Sequence, residues 1–290
     1  IDDKKSSILI NFLVANSADK LGNRILRDQY LEDLKSIEQS HTEKFHLADI
    51  TFAKTLTKEN KTNKALEILN EITASSGENY EILKLQILAH EVANDWEEVI
   101  RFARLIDSKK KNDDFSTDGF KIKSFKNLIN SAANDHVAIQ KVIGLLKDDY
   151  KSNPDLTKLV SKAWIKVGRK NKARQIIEDY LKKNWEPGLI SIYFDACEDY
   201  NESIKKFDKW EKRFSQHDEF LLNFGKLCSK LLIWGKAVEY LERANKINPT
   251  VQAFVELAEI NRVLQNEKAA QSFWQRAAFL SLKSTNPDRP

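Results

Sequence analysis

The 290-residue chain has little of what interrupts a helix: eight glycines and five prolines. It has no methionine and only two cysteines. So few breakers, against a background rich in Lys, Glu, Leu, Ala and Asn, exclude turn-rich sheet folds and favour an all-α protein. Glycine is also too sparse for a dinucleotide site: no GxGxxG is present. Gly225-Lys226 and Gly235-Lys236 lack the preceding glycine and the Ser/Thr of a phosphate-binding loop. Cys197 and Cys228 form no CxxC pair and fall in apolar helical patterns, which reads as buried free thiols. No run of about eighteen apolar residues exists, so nothing here spans a membrane as a helix. The nearest approach, ILINFLV at 8–14, is far too short and follows the charged DDKK. The chain begins at Ile1 rather than at an initiator methionine, and an upstream portion is expected.

Charge is abundant but balanced: 47 basic and 43 acidic side chains leave a net +4. The signs alternate rather than pool, which gives no reason to expect nucleic acid as a partner.

A period of 34 residues orders the rest. With Asp218 as position 1, Leu221 falls at 4, Phe224 at 7, Gly225 at 8, Cys228 at 11, Ala237 at 20, Leu241 at 24, Ala244 at 27 and Pro249 at 32. Paired antiparallel helices approach closely only where side chains are small, hence Gly225 opposite Ala237 and Ala244 near the next unit. Pro249 ends the second helix and pushes Asn248 out of the helical region. The turn between the helices is expected near Trp234 and Gly235. Units from His46, Tyr80, Pro154 and about Val251 repeat the pattern more loosely, and Trp96 and Trp234 share position 17. Trp96, Trp164, Trp234 and Trp274 stand at apolar repeat positions and read as packing residues. Trp185, at a unit boundary before Pro187, is the better candidate for an exposed contact, and Trp210 is less constrained. The sequence therefore predicts a right-handed superhelical solenoid of tetratricopeptide-like helix-turn-helix repeats, about seven to eight pairs long. Pairs over 1–113 and 114–284 form one continuous array, with the best repeats at 218–250 and 251–284 and a tail at 285–290. The charged segment DSKKKNDDFSTDG, 107–119, is the one obvious loop or seam.

The segments RDQYL (27–31), NDWEEVIRFARLI (94–106), KKNWEPGLISIYF (182–194), FDKWEKRF (207–214) and LLIWGKAVEYLERA (231–244) occur in an order that resembles the bacterial HemY family. These are tetratricopeptide proteins of haem-biosynthesis operons, distinct from the flavin-dependent oxidase that shares the name. The resemblance implies N-terminal hydrophobic helices, absent from this sequence, that anchor a repeat domain at the bacterial inner membrane. It also implies a role in porphyrin or haem metabolism without naming a reaction. The unpaired cysteines lean toward the cytoplasmic side.

No catalytic constellation is legible. The five histidines, His41, His46, His90, His136 and His217, are scattered, and no metal site is expected. Cys197 and Cys228 are poor haem ligands, since both occupy apolar helix positions and neither precedes proline. Glu97/Glu98 and Asp148/Asp149 read as surface charge beside lysines. One constellation stands out. In such arrays the first helices line a concave face, and here they carry Lys158, Lys162 and Lys166 from one helix and Asn223, Lys226 and Lys230 from another. This strip suits an extended acidic peptide or the carboxylates of a porphyrin; the plain alternative is a solvated lysine face. The expected function is a non-enzymatic, cofactor-free scaffold for partner proteins, among them haem-biosynthesis enzymes. A haem-pathway enzyme or tetrapyrrole carrier is one alternative, separable by a Soret-band titration. A general envelope-assembly adaptor is the other, separable by affinity capture.

Overall fold

The structure is a computed structural model and describes residues 2–39, 46–109, 115–133 and 135–285. Among these there are sixteen α-helices and no strand. The boundary expected at 113/114, and all of the tail beyond Thr285, lie outside the described residues. The chain divides into two compact units, Ile1–Lys147 and Asp148–Pro290.

The first unit holds α1 (Asp2–Lys20), α2 (Arg24–Gln39), α3 (Leu47–Lys58), α4 (Thr62–Ser76), α5 (Tyr80–Val92), α6 (Trp96–Ser108), α7 (Asp118–Ser131) and α8 (His136–Leu145). The second opens with a 3-10 turn, Asp149–Lys151. It continues with α9 (Pro154–Lys166), α10 (Lys170–Leu181), α11 (Pro187–Asp195), α12 (Tyr200–Phe214), α13 (Asp218–Lys230), α14 (Trp234–Ile247), α15 (Val251–Val263) and α16 (Glu267–Thr285). Each odd helix packs on the even helix after it, except that α12 packs on α13. Odd helices also touch one another in rows, α1–α3–α5 in the first unit and α9–α11–α13–α15 in the second. Each unit is thus a stretch of helical solenoid in two layers.

The 34-residue register appears in the backbone. Position 15 of the five units is Asn60, Asn94, Gly168, Leu232 and Gln265, and all five have positive φ, between 58° and 72°. At each, the next residue donates its N–H back to the carbonyl at position 11, as in Ile233 to Cys228 (2.9 Å) and Asp95 to His90 (2.9 Å). This left-handed closure satisfies carbonyls that the ending helix leaves open and reverses the chain. Every second helix then starts at position 17: Thr62, Trp96, Lys170, Trp234 and Glu267. The turn in the best repeat therefore rests on Leu232, while Trp234 and Gly235 already belong to α14.

The close approach falls on Gly225. A Cβ there would lie 2.7 Å from Leu241 Cγ and 3.2 Å from the Ala237 carbonyl oxygen. Proline sets the ends: Asn248, Asn153 and Glu186, each before a proline, are extended, and Asn153 caps α9 with its side chain. Around the close approach sits an aromatic core, with Phe207 5.4 Å from Phe224 and Phe224 stacked 4.3 Å from Tyr240. Each such fully buried ring contributes about 2–3 kcal/mol of transfer free energy. Carboxylates cross-link the helices: Glu178 of α10 accepts from Tyr193 of α11 (3.0 Å) and Lys206 of α12 (2.6 Å), and Glu211 of α12 from Tyr240 of α14 (2.9 Å).

Candidate protein-interaction surface

The six side chains expected to line one strip are placed very differently. Lys158 is half-buried. Its ammonium lies 2.6 Å from Glu186 and 3.7 Å from Asp155, and its stem crosses Gly188, where a Cβ would meet Lys158 Cε at 3.0 Å. The hydrogen bond that Lys158 donates to Glu186 holds its pKa above the usual lysine range, against the opposing effect of burial. Lys158 thus fastens α9 to the start of α11. Asn223 is buried and donates its amide to the Glu219 carbonyl at 2.8 Å. It lies in a continuous buried run, Phe220–Gly225, because α13 is packed by α11, α12, α14 and α15 together. Lys226 is half-buried over the Phe194 ring, 4.8 Å from its centroid. Lys162, Lys166 and Lys230 are exposed.

The row of odd helices in the second unit brings Lys162 and Lys226 together with residues the sequence reading did not select. Position 9, counted from the first residue of each helix, is Lys162 in α9, Asp195 in α11, Lys226 in α13 and Glu259 in α15. The row therefore alternates in sign, although Glu259 at its end is already paired with Arg262 at 2.6 Å. Counting α11 from Pro187 would have shown this, because Pro at the first helical turn marks the start as it does in α9.

Trp185 is half-buried, 4.4 Å from Phe214 and stacked 4.2 Å from His217. Trp210 is buried at 8% exposure, and Trp234 is half-buried against the core. Trp274 differs from its expected packing role: it is 42% exposed, since no later described helix covers α16. Ala237 and Ala244 are buried, while Gly235 and Pro249 are exposed; nothing lies within 4 Å of a Cβ built at Gly235.

Cys197 and Cys228 are buried free thiols, and burial raises both pKa values, that of Cys228 to about 11. No group of three or more metal-ligating side chains occurs among the described residues, and none of their helices is long and apolar enough to cross a membrane. His41 lies outside them. Glu97 pairs with Lys141 (2.8 Å) and Asp148 with Lys151 (2.7 Å), as surface charges do.

No protein-family model matches the chain, and no curated protein does. Among solved structures it is similar to the C-terminal part of a TPR repeat-containing protein from Cytophaga hutchinsonii, at 15% identity and a TM-score of 0.46, over 83% of this chain and 96% of that one. It is similar to MamA at 13% identity and a TM-score of 0.42, over 55% of this chain and 96% of that one. A tetratricopeptide repeat protein from Parabacteroides merdae matches at 12% identity and a TM-score of 0.36, over 94% of this chain and 93% of that one.

Proposed function

We propose that the protein is a non-enzymatic interaction scaffold whose second unit holds an extended segment of a partner protein along its odd helices. The observation that supports this is the position-9 row, Lys162, Asp195, Lys226 and Glu259, on helices that touch in sequence. A surface of alternating sign on packed helices selects a partner by charge order rather than by total charge. The repeat architecture supports it further, since stacked helix pairs present extended binding faces. We extend the proposal to the setting that the HemY resemblance implies: partners among haem-biosynthesis enzymes, at the bacterial inner membrane, with no resident cofactor. Affinity capture from membrane extracts is the test, with wild-type chain beside Lys162→Glu/Lys226→Glu. Loss of specific co-purifying proteins from the variant supports the row as the interface. Retention of the same proteins refutes it, and a captured set without haem-pathway enzymes refutes the setting.

A further inference from the structure

A separate, basic site lies in the same unit, in a cleft of about 610 Å³ walled by the Asp149–Lys151 turn, α9 and α10. The turn is fixed to α9 by the Thr157 hydroxyl, which donates to the Tyr150 carbonyl, so this wall is built rather than loose. Trp164 lines the cleft half-buried, although its repeat position marks it as core. Lys172 stands over its ring, 4.3 Å from the centroid.

The charges in the cleft are unequal. Lys182 is engaged by Asp179 at 2.6 Å, and Lys151 by Asp148 at 2.7 Å. Lys172 and Lys183 both line the cleft, are exposed, and have no carboxylate within ion-pair distance among the described residues. A lysine resting on an indole face, with a second uncompensated lysine further along the same cleft, presents an aromatic platform and two cations to an extended ligand.

We infer that this cleft is a docking site for an acidic peptide segment of a partner protein, with an aromatic or long aliphatic side chain seated against Trp164 and flanking carboxylates on Lys172 and Lys183. The charge argues for acidic residues. The partly apolar walls, including Ile176 and Tyr180, argue for an anchoring side chain rather than for bare phosphates. The site uses none of the position-9 side chains and stands independently of the function proposed above.

The test is fluorescence anisotropy of the 290-residue chain with a fluorescein-labelled peptide, Asp-Glu-Asp-Phe-Asp-Glu-Asp. Saturable binding is expected, at least ten-fold weaker for Lys172→Glu/Lys183→Glu and unchanged for Lys246→Glu/Lys268→Glu, exposed lysines of the same unit that do not line the cleft. Replacing the peptide's Phe with Ala should weaken binding without any change to the protein. Circular dichroism and melting of the double variant establish that it folds. Equal affinity for wild type and Lys172→Glu/Lys183→Glu overturns the inference. So does indifference to the Phe, or tighter lysine-dependent binding of polyphosphate or of phosphatidylglycerol vesicles than of the peptide.

Discussion

Two glycines ten residues apart should respond in opposite senses to the same added methyl. At Gly225 the new Cβ would sit 2.7 Å from Leu241 Cγ, about 1 Å inside the favourable carbon–carbon separation. Leu241 is fully buried and cannot swing away, and the other neighbour is the Ala237 backbone oxygen at 3.2 Å. Relief requires α13 and α14 to separate, which costs about 2–3 kcal/mol as overpacking. Alanine's better helix propensity returns about 1 kcal/mol, for a net loss of about 1–2 kcal/mol. At Gly235 nothing lies within 4 Å, so Gly235→Ala keeps only the propensity term, reduced to about 0.5 kcal/mol because Gly235 stands in the first turn of α14 rather than in a helix interior. At about 3–4 °C per kcal/mol for a unit of this size, calorimetry should place Gly225→Ala some 3–8 °C below wild type and Gly235→Ala slightly above it. If Gly225→Ala melts at or above wild type, the two helices are not held at contact distance by the missing side chain, and the packing argument fails.

Leu232 is left-handed (φ 58°) and 66% exposed, so Leu232→Gly should stabilise by about 1 kcal/mol, while Gly168→Ala at the equivalent position should lose a similar amount. Arg27, 5% exposed, bonds Asp19 (3.3 Å), Asp28 (2.7 Å) and Glu59 (3.0 Å). Arg27→Met should cost about 3 kcal/mol in urea unfolding, toward the low end for a broken buried ion pair because Lys58 and Lys61 still hold the acids. Hydrogen bonds from Lys61 and Arg27 lower the Glu59 pKa to about 2. Its stabilisation is therefore complete above the ordinary carboxylate range, near 4.5, and is lost as pH falls toward 2. Arg27→Met should flatten acid unfolding in that window. Cys197 and Cys228 should react with a thiol reagent only as fast as the second unit opens; rapid labelling of native protein would contradict their burial.

Much of the fold was legible because its cause is local. Small residues at fixed spacing and prolines before helix starts identified the pairs, and the ends at Ile247 and Pro154 follow from proline's geometry alone. The turns were less legible. Asn60, Asn94 and Gly168 tolerate a left-handed backbone, but Leu232 and Gln265 adopt it because the packed helices on either side require it. The candidate site was legible only as a set of faces. Whether Lys158 is available depends on Glu186, which no spacing within one repeat could foresee, and Asn223 is buried with its neighbours Leu222 and Phe224 because four helices pack on α13. Trp274 keeps its repeat position without the neighbour that would cover it.

The alternation along position 9 fixes a rhythm as well as a sign. Packed helices stand about 9 Å apart, and an extended chain advances about 3.3 Å per residue. A strand laid across Lys162, Asp195, Lys226 and Glu259 would meet the opposite charge roughly every third residue. Its own complementary spelling is then acid, base, acid, base at that interval, and the same letters shuffled would meet like charge at two or more of the four stations.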